Sequence, residues 1–281
     1  MKGTRQTSPV DGAFFQAGPG LRPGLVPSRP PAILVLMCLT LVLAGCHRHP
    51  AADSRPSDPV KAIALKPSGT PICPKSLAFM QDGLHNCGTI AMLISWAKVH
   101  PDQAANLVWK QQDGGYLVIF KGADLVIVSD EDLVAAVKAK VVRTEGNDPW
   151  ARIVLTAFTK LKGGSGPLDF RSTDWIYAGE IAPCLTGSPT ASFDIKPEKM
   201  DKNGRITVGQ PVALPLLKEK LNAMRGKPAV AYTNRRVHIW ALMSYDPAHA
   251  RILVRNPRLR MSEWLSEKEF RQRFQLLVYV E

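Results

Sequence analysis

Three residues whose types together permit attack on an acyl group lie far apart in this 281-residue sequence. Cys87 opens an apolar run, His238 lies in an apolar stretch of the last third, and Asn256 follows the next such stretch. A thiol attacks a carbonyl only as the thiolate, and because a free cysteine has a pKa of about 8.5, a helix N-terminus or a neighbouring imidazole must assist it. A third group usually orients that imidazole through its second nitrogen. The set predicts thiol-based acyl transfer.

The elements that must position these residues follow from the apolar periodicity. Apolar residues at 90, 91, 93, 94 and 97 predict a helix that begins at Cys87, with Asn86 as its N-cap. Further helices are predicted at 102–109, 129–138, 150–161, 216–225 and 266–274, a β-hairpin at 116–120 and 125–128, and strands at 228–232, 237–245, 251–255 and 276–280. Residues 164–210 read as loops mixed with short helices. A helical first half and a β-rich second half indicate an α+β fold.

The motifs around the three candidates resemble those of calpain-like cysteine peptidases, which belong to the papain-type superfamily. The segment Gln81–Cys87 (QDGLHNC) resembles the nucleophile motif, in which a Gln precedes the Cys by six positions. Similar motifs follow in the family's order: DGGYLVIF at 113–120, LTG at 185–187, VH at 237–238 and RNP at 255–257. The resemblance covers about residues 76–281. It implies a papain-like fold of two lobes, a helical lobe followed by an antiparallel β lobe, with a cleft between them.

The resemblance also implies a role for each residue. Cys87 is the nucleophile, His238 is general base and then general acid, and Asn256 orients His238. Gln81 and the backbone N–H of Cys87 bind the oxyanion. The implied activity is that of a cysteine-type endopeptidase that acts on a peptide or protein substrate.

The chain departs from the calpain pattern beside these residues. Calpains usually carry Gly-Asp before the Cys and Trp after it, where this chain has His85, Asn86 and Gly88. They also carry Trp after the Asn-Pro pair, where this chain has Arg258. A Cys-Gly pair after a Gln also occurs in bacteriocin-leader peptidases, another papain-like group.

Two other functions fit the same residues. One is a different acyl-transfer enzyme on the same scaffold, such as a deamidase, a transglutaminase or a cell-wall amidase, because scaffold and nucleophile do not decide the acceptor. The other is a non-enzymatic envelope lipoprotein, a decayed peptidase that binds without cleaving, which Gly88 and Arg258 favour.

Each candidate also has a structural alternative. Cys87 could be a small buried residue, His238 a core histidine and Asn256 a turn residue. His85 could compete as a base, but it lies too close to Cys87 along the chain. No paired spacing indicates a zinc site, and the acidic residues 130–132 fit a helix start better than a calcium site. We therefore predict no metal and no cofactor.

The N-terminus has the pattern of an export signal. Basic residues precede an apolar run at 32–44, too short for a comfortable membrane span, and Leu43-Ala44-Gly45-Cys46 resembles a bacterial lipobox. We expect a signal peptide at 1–45, lipidation of Cys46, a flexible tether at 46–70 and the catalytic domain at 71–281. His47 favours the outer membrane, facing the periplasm. A plain signal peptide or a membrane anchor that happens to contain Cys46 is the alternative.

Charge and cysteine content limit the partners. The formal net charge is +12, which fits a chain tethered near an anionic membrane. Since no Lys/Arg cluster has interleaved aromatics, we expect no nucleic-acid partner. An oxidising compartment favours disulfides, and a bond between Cys73 and Cys184 would leave Cys87 as the free thiol.

Overall fold

The described part of the chain carries its longest helices before most of its strands. In this computed structural model the described residues are 69–146, 148–164, 168–173, 178–200, 202, 206–233 and 238–281. The chain divides into two units, 1–63 and 64–281, and all described residues belong to the second. The predicted signal peptide, Cys46 and most of the predicted tether lie outside the described residues.

Seven α-helices lie in these ranges: α1 Cys87–Val99, α2 Pro101–Ala105, α3 Asp130–Lys138, α4 Trp150–Gly163, α5 Ala178–Thr186, α6 Leu214–Ala223 and α7 Glu267–Arg273. A single 3-10 turn spans Phe170–Thr173. Ser266 opens α7 with the predicted capping box, and the predicted cap at Ser129 also proves to be a capping box, with Asp132, at the start of α3. None of the helices in the described ranges is both long and apolar enough to span a bilayer.

The described strands form three sheets in which every pairing is antiparallel. The first sheet has the order β1 Gly69–Pro71, β2 Val108–Gln111, β3 Tyr116–Val118 and β4 Val126–Val128. The large sheet has the order β11 Met261–Ser266, β10 Arg251–Asn256, β9 Ile239–Asp246, β8 Ala229–Thr233, β12 Phe274–Val280 and β5 Thr190–Asp194. Strands β6 Glu198–Met200 and β7 Ile206–Val208 form a separate two-stranded sheet. The protein is therefore a mixed α+β fold with antiparallel sheets.

Helix α1 is the central helix of the described domain. Every residue from Gly88 to Ala97 is buried, because the sequence is apolar on all sides rather than on one stripe. The helix packs against β9, β8 and α5. Its one central hydroxyl, on Ser95, donates to Leu242 O (2.8 Å) and accepts from Ala229 N (2.9 Å). Helix α1 is thereby fixed in register against the large sheet.

The large sheet is covered on both faces, as alternation along its strands requires. Val230 and Ile239 face the cluster that contains α1, α4 and α5. Their neighbours Ala229 and Trp240 face a second cluster that contains α6 and α7. The first cluster therefore joins the helical half of the chain to the β-rich half.

Two sequence-based expectations about the elements were wrong in part. The helix predicted at 102–109 ends at Ala105, and Trp109 lies in β2, because residues 108–111 pair with β1 on one side and β3 on the other. The region 164–210, predicted as loops and short helices, also contains β5, β6 and β7. Strand β5 forms the edge of the large sheet against β12, a long-range pairing that local pattern does not reveal.

Candidate active site

Cys87 is the first residue of helix α1, as predicted. Asn86 occupies the N-cap position, but its side chain makes no capping bond, which corrects the sequence-based expectation. Its amide instead donates to Val141 O (2.9 Å). The first N–H groups of the helix are therefore not taken by a side-chain cap. Those of Cys87 and Gly88 act on the Cys87 thiol, where they favour negative charge.

The half-buried thiol of Cys87 lies beside the start of strand β9. The backbone N–H of Ile239 lies close enough to lower the pKa of that thiol, and His238 is the residue directly before Ile239. Because α1 packs against β9, the nucleophile candidate and the base candidate come together from opposite ends of the described chain.

His238 precedes β9 rather than lying within it, and Thr233 holds its backbone. The Thr233 hydroxyl donates to His238 O (3.0 Å) and accepts from His238 N (3.1 Å), while Thr233 N donates to the same carbonyl (2.8 Å). These three hydrogen bonds to Thr233 fix the backbone position from which the His238 imidazole extends. Sequence pattern did not single out Thr233.

The imidazole of His238 is bonded to the side chain of Asn256. Nε2 of His238 lies 2.8 Å from Oδ1 of Asn256, and Asn256 is only 4% exposed. The backbone N–H of Arg258 also donates to that Oδ1 (2.9 Å), so this atom is the acceptor oxygen. Nε2 must therefore carry the proton, which leaves Nδ1 of the neutral ring as the basic nitrogen.

A β-bulge helps to bring this pair together. The register between β9 and β10 shifts between Leu253 and Val254, after which Arg255 pairs with Ala241. If that register continues by one residue, Asn256 lies opposite Trp240. Because side chains two residues apart on a strand point the same way, Trp240 and His238 share one face.

Trp240 is a site residue that the sequence did not indicate. Its ring packs edge-on against His238, with centroids 6.4 Å apart, and against Phe274 at 5.9 Å. This aromatic ring covers one side of the imidazole. In the calpain pattern a Trp after Asn-Pro does this, whereas here Arg258 occupies that position.

Gln81 lies next to the turn that follows Asn256. Its backbone N–H donates to Pro257 O (2.9 Å), and its side-chain Nε2 donates to Leu84 O (2.6 Å). The Gln81 loop is thus joined to the end of β10. One N–H of its amide is taken by Leu84.

The protonation state at rest differs from the sequence-based expectation. Burial raises the pKa of the Cys87 thiol above its ordinary value, and the N–H groups of Ile239, Gly88 and Cys87 and the Arg258 guanidinium lower it by less. Burial also lowers the pKa of His238, only partly offset by its bond to Asn256. The expected depressed thiol pKa is absent, and both shifts favour the neutral thiol and the neutral imidazole.

The other candidates lie apart from this group. His85 is exposed and lines a cavity of about 520 Å³ with Phe170 and Arg171. His249, in the turn after β9, bonds Asp246 (2.8 Å). Within the described ranges no three His, Cys, Asp or Glu side chains are grouped to hold a metal ion.

The remaining cysteines are not bonded to each other. Cys73 and Cys184 are both free thiols in the structure, so the Cys73–Cys184 disulfide hypothesis was wrong. Cys73 contacts Ala105 O (3.9 Å) and Cys184 contacts Glu180 O (3.7 Å).

The chain was also compared with known proteins. No protein-family model matches it, and no curated protein does.

Proposed function

We propose that the chain is a calpain-like, papain-type cysteine endopeptidase. The observation that carries the proposal is the 2.8 Å bond from His238 Nε2 to Asn256 Oδ1, beside a thiol at a helix N-terminus. A half-buried histidine oriented by an amide oxygen leaves its other nitrogen basic, which is what proton abstraction from a thiol needs.

The proposed cycle uses four residues. His238 Nδ1 takes the thiol proton as Cys87 Sγ bonds to the substrate carbonyl carbon, and Asn256 holds the imidazolium. The N–H of Cys87 and the amide of Gln81 bind the oxyanion. The C–N bond then breaks as His238 returns the proton to the leaving amine. Water, deprotonated by His238, attacks the thioester and frees the acid and the thiol.

The neutral resting pair suits this order of events. A peptide that fills the site excludes water, and the proton then moves as the C–S bond forms rather than before the substrate binds. The proposed architecture is papain-like, with α1 on the helical side, the His238 and Asn256 strands on the sheet side and the substrate between them.

The same neutral pair favours a second candidate, a non-enzymatic binding lipoprotein. The raised pKa of Cys87 means that its thiol is not activated at rest. One N–H of the Gln81 amide is already used by Leu84 O. Catalysis and binding are therefore separated by a direct test.

The test is the appearance of new N-termini in a protein-derived peptide mixture, read by mass spectrometry. Wild type is expected to produce them and Cys87→Ala to produce none, with Cys184→Ala as the matched thiol control that retains cleavage. Ammonia release without new N-termini indicates a deamidase or transglutaminase instead. If neither product forms but the peptides still bind, the protein is the binding lipoprotein.

We further propose that Cys46 carries the lipid and holds the protein on the outer membrane. Cys46→Ala is expected to move the protein from the membrane fraction to the soluble fraction. A variant that still sediments with the membranes overturns the anchor.

A further inference from the structure

The loop after β10 presents a cation to the candidate site. Arg258 lies two residues after Asn256, to which its backbone N–H is bonded, and its side chain is exposed. The preceding residue, Pro257, is bonded to Gln81. The guanidinium therefore lies at the mouth of the site, close enough to lower the pKa of both the Cys87 thiol and His238.

The surrounding rim has more cations than anions. Asp82 pairs with Arg143 (3.5 Å) and Glu145 pairs with Arg260 (3.8 Å), while Arg260 Nε also contacts Met80 Sδ (2.9 Å). Among the described residues, the Arg258 side chain makes neither an ion pair nor a hydrogen bond. An exposed arginine without a partner, next to a nucleophile, is available to a ligand.

The position of Arg258 indicates which part of a substrate it meets. Asn256 Oδ1 receives both the Nε2–H of His238 and the N–H of Arg258, so Arg258 follows the His238–Asn256 side of the site. His238 gives its proton to the departing amine, so this is the side of the leaving group. Guanidinium matches a carboxylate with two parallel hydrogen bonds.

We propose that Arg258 binds a carboxylate on the leaving-group side of the substrate, making the site selective for acidic peptides. This rests on the proposed peptidase function. The carboxylate has two sources, the side chain of an Asp or Glu after the cleaved bond or the free C-terminus of a short peptide. Both present the same chemistry to the guanidinium.

The selectivity can be measured without knowing the natural substrate. Two thiol-directed epoxides with one skeleton, epoxysuccinic acid monoamide and epoxysuccinic diamide, differ only in a carboxylate. Labelling rates at Cys87 are divided by the rates with glutathione, and the acid-to-amide ratio is compared. Because Arg258 also affects thiol ionisation, which is common to both probes, the ratio isolates carboxylate binding.

Wild type is expected to prefer the acid about three- to tenfold. Arg258→Gln should bring the ratio to about one and Arg258→Glu below one, whereas Arg260→Gln, a rim arginine already paired with Glu145, retains the preference. The wild-type preference should shrink as salt rises. A ratio near one in wild type, or one unchanged in Arg258→Gln, overturns the inference while the nucleophile stands.

Two further readouts complete the test. If the wild-type protein releases no new N-termini from the peptide mixture, the peptidase proposal fails and this inference fails with it. In a peptide-mixture digest, Asp or Glu enriched after the cleaved bonds identifies a side-chain carboxylate. Release of one- or two-residue C-terminal fragments identifies the terminal carboxylate, and no enrichment of either overturns the proposal.

Discussion

At the scale of single residues, the site depends on one amide oxygen. Asn256 Oδ1 accepts from both the side chain of His238 and the backbone of Arg258. It thereby sets the imidazole tautomer and holds the loop that carries the guanidinium. A buried acceptor with two donors is costly to remove, because both donors lose their partner at once.

We predict that Asn256→Ala lowers kcat of peptide cleavage about 10- to 100-fold, because His238 loses its orientation and its tautomer control. Stability should fall by about 1–3 kcal/mol, measured by urea unfolding. The matched control is Asn106→Ala, which removes an exposed bond to Asp102 O at the end of α2. Equal activity losses in both variants would contradict the orienting role.

The pH dependence of Cys87 alkylation follows from the raised thiol pKa. We expect the rate of iodoacetamide labelling in the free protein to rise at higher pH than that of a free thiol, without a plateau near pH 7. Arg258→Gln should move the rise further up, since the guanidinium lowers that pKa. Rapid labelling at pH 6 would show a thiolate–imidazolium pair instead.

The same pKa shifts act on stability with opposite signs. His238 has a lowered pKa in the folded state, so its contribution is complete above the unfolded value near 6.5 and is lost as the pH falls through the folded value. Cys87 has a raised pKa, so its contribution is complete below its ordinary value and is lost as the pH rises through the folded one. We expect His238→Ala to reduce the acid-side loss of stability, measured by urea unfolding from pH 4 to 7. An unchanged acid-side slope would contradict this.

At the scale of elements, the last residue of β8 holds the backbone of the proposed base. Thr233, at the end of β8, exchanges three hydrogen bonds with His238. The strand pairing itself begins only at Ile239. The Thr233 hydroxyl therefore continues the hydrogen bonding between β8 and β9 by one residue, His238, which carries the imidazole.

We predict that Thr233→Val lowers kcat/KM about 10-fold, because an isosteric side chain without the hydroxyl lets the His238 backbone shift. Thr159→Val is the control: it removes a similar hydroxyl bond, to Leu155 O (2.9 Å) within α4. Both variants should lose about 1 kcal/mol of stability, and only the first should lose activity. Unchanged activity in Thr233→Val would remove Thr233 from the site.

The sequence predicted these elements best where local chemistry decides them. Periodicity located α1, and the predicted caps at Ser129 and Ser266 located the starts of α3 and α7. The edge strand β5 was not predicted, because it pairs with β12, which lies far along the chain. Pairing at that distance leaves no local periodic signal.

The candidate site was predictable only in part. Residue types pointed to Cys87, His238 and Asn256, and the structure brings them to one place. The missing cap at Asn86, the ring of Trp240 beside His238 and the unpaired Arg258 depend on tertiary neighbours. The raised thiol pKa also depends on burial, which single-residue types do not reveal.

At the scale of the whole molecule, the two halves of the chain share a core. The cluster around Trp96 in α1 also contains Ile239 and Val278 from the large sheet. Ser95 adds hydrogen bonds to β8 and β9 from the middle of α1. A core that crosses both halves favours a single cooperative unfolding transition.

We predict that far-ultraviolet circular dichroism, tryptophan fluorescence and Cys87 accessibility report one urea midpoint. Ser95→Ala should lower the stability by about 2–4 kcal/mol, because Leu242 O and Ala229 N both lose a buried partner, while the three probes still coincide. Two separate midpoints in the wild-type protein would show that the helical and sheet halves unfold independently.

The placement of α1 before the large sheet also determines when the site can exist during synthesis. Cys87 leaves the ribosome well ahead of His238 and Asn256, by about 8 to 34 seconds at translation rates of about 5–20 residues per second. Throughout that interval the thiol has neither its base nor the strand that orients the base. Under the proposed peptidase function, the order of these residues along the chain therefore delays activation of Cys87 until the large sheet has been synthesised.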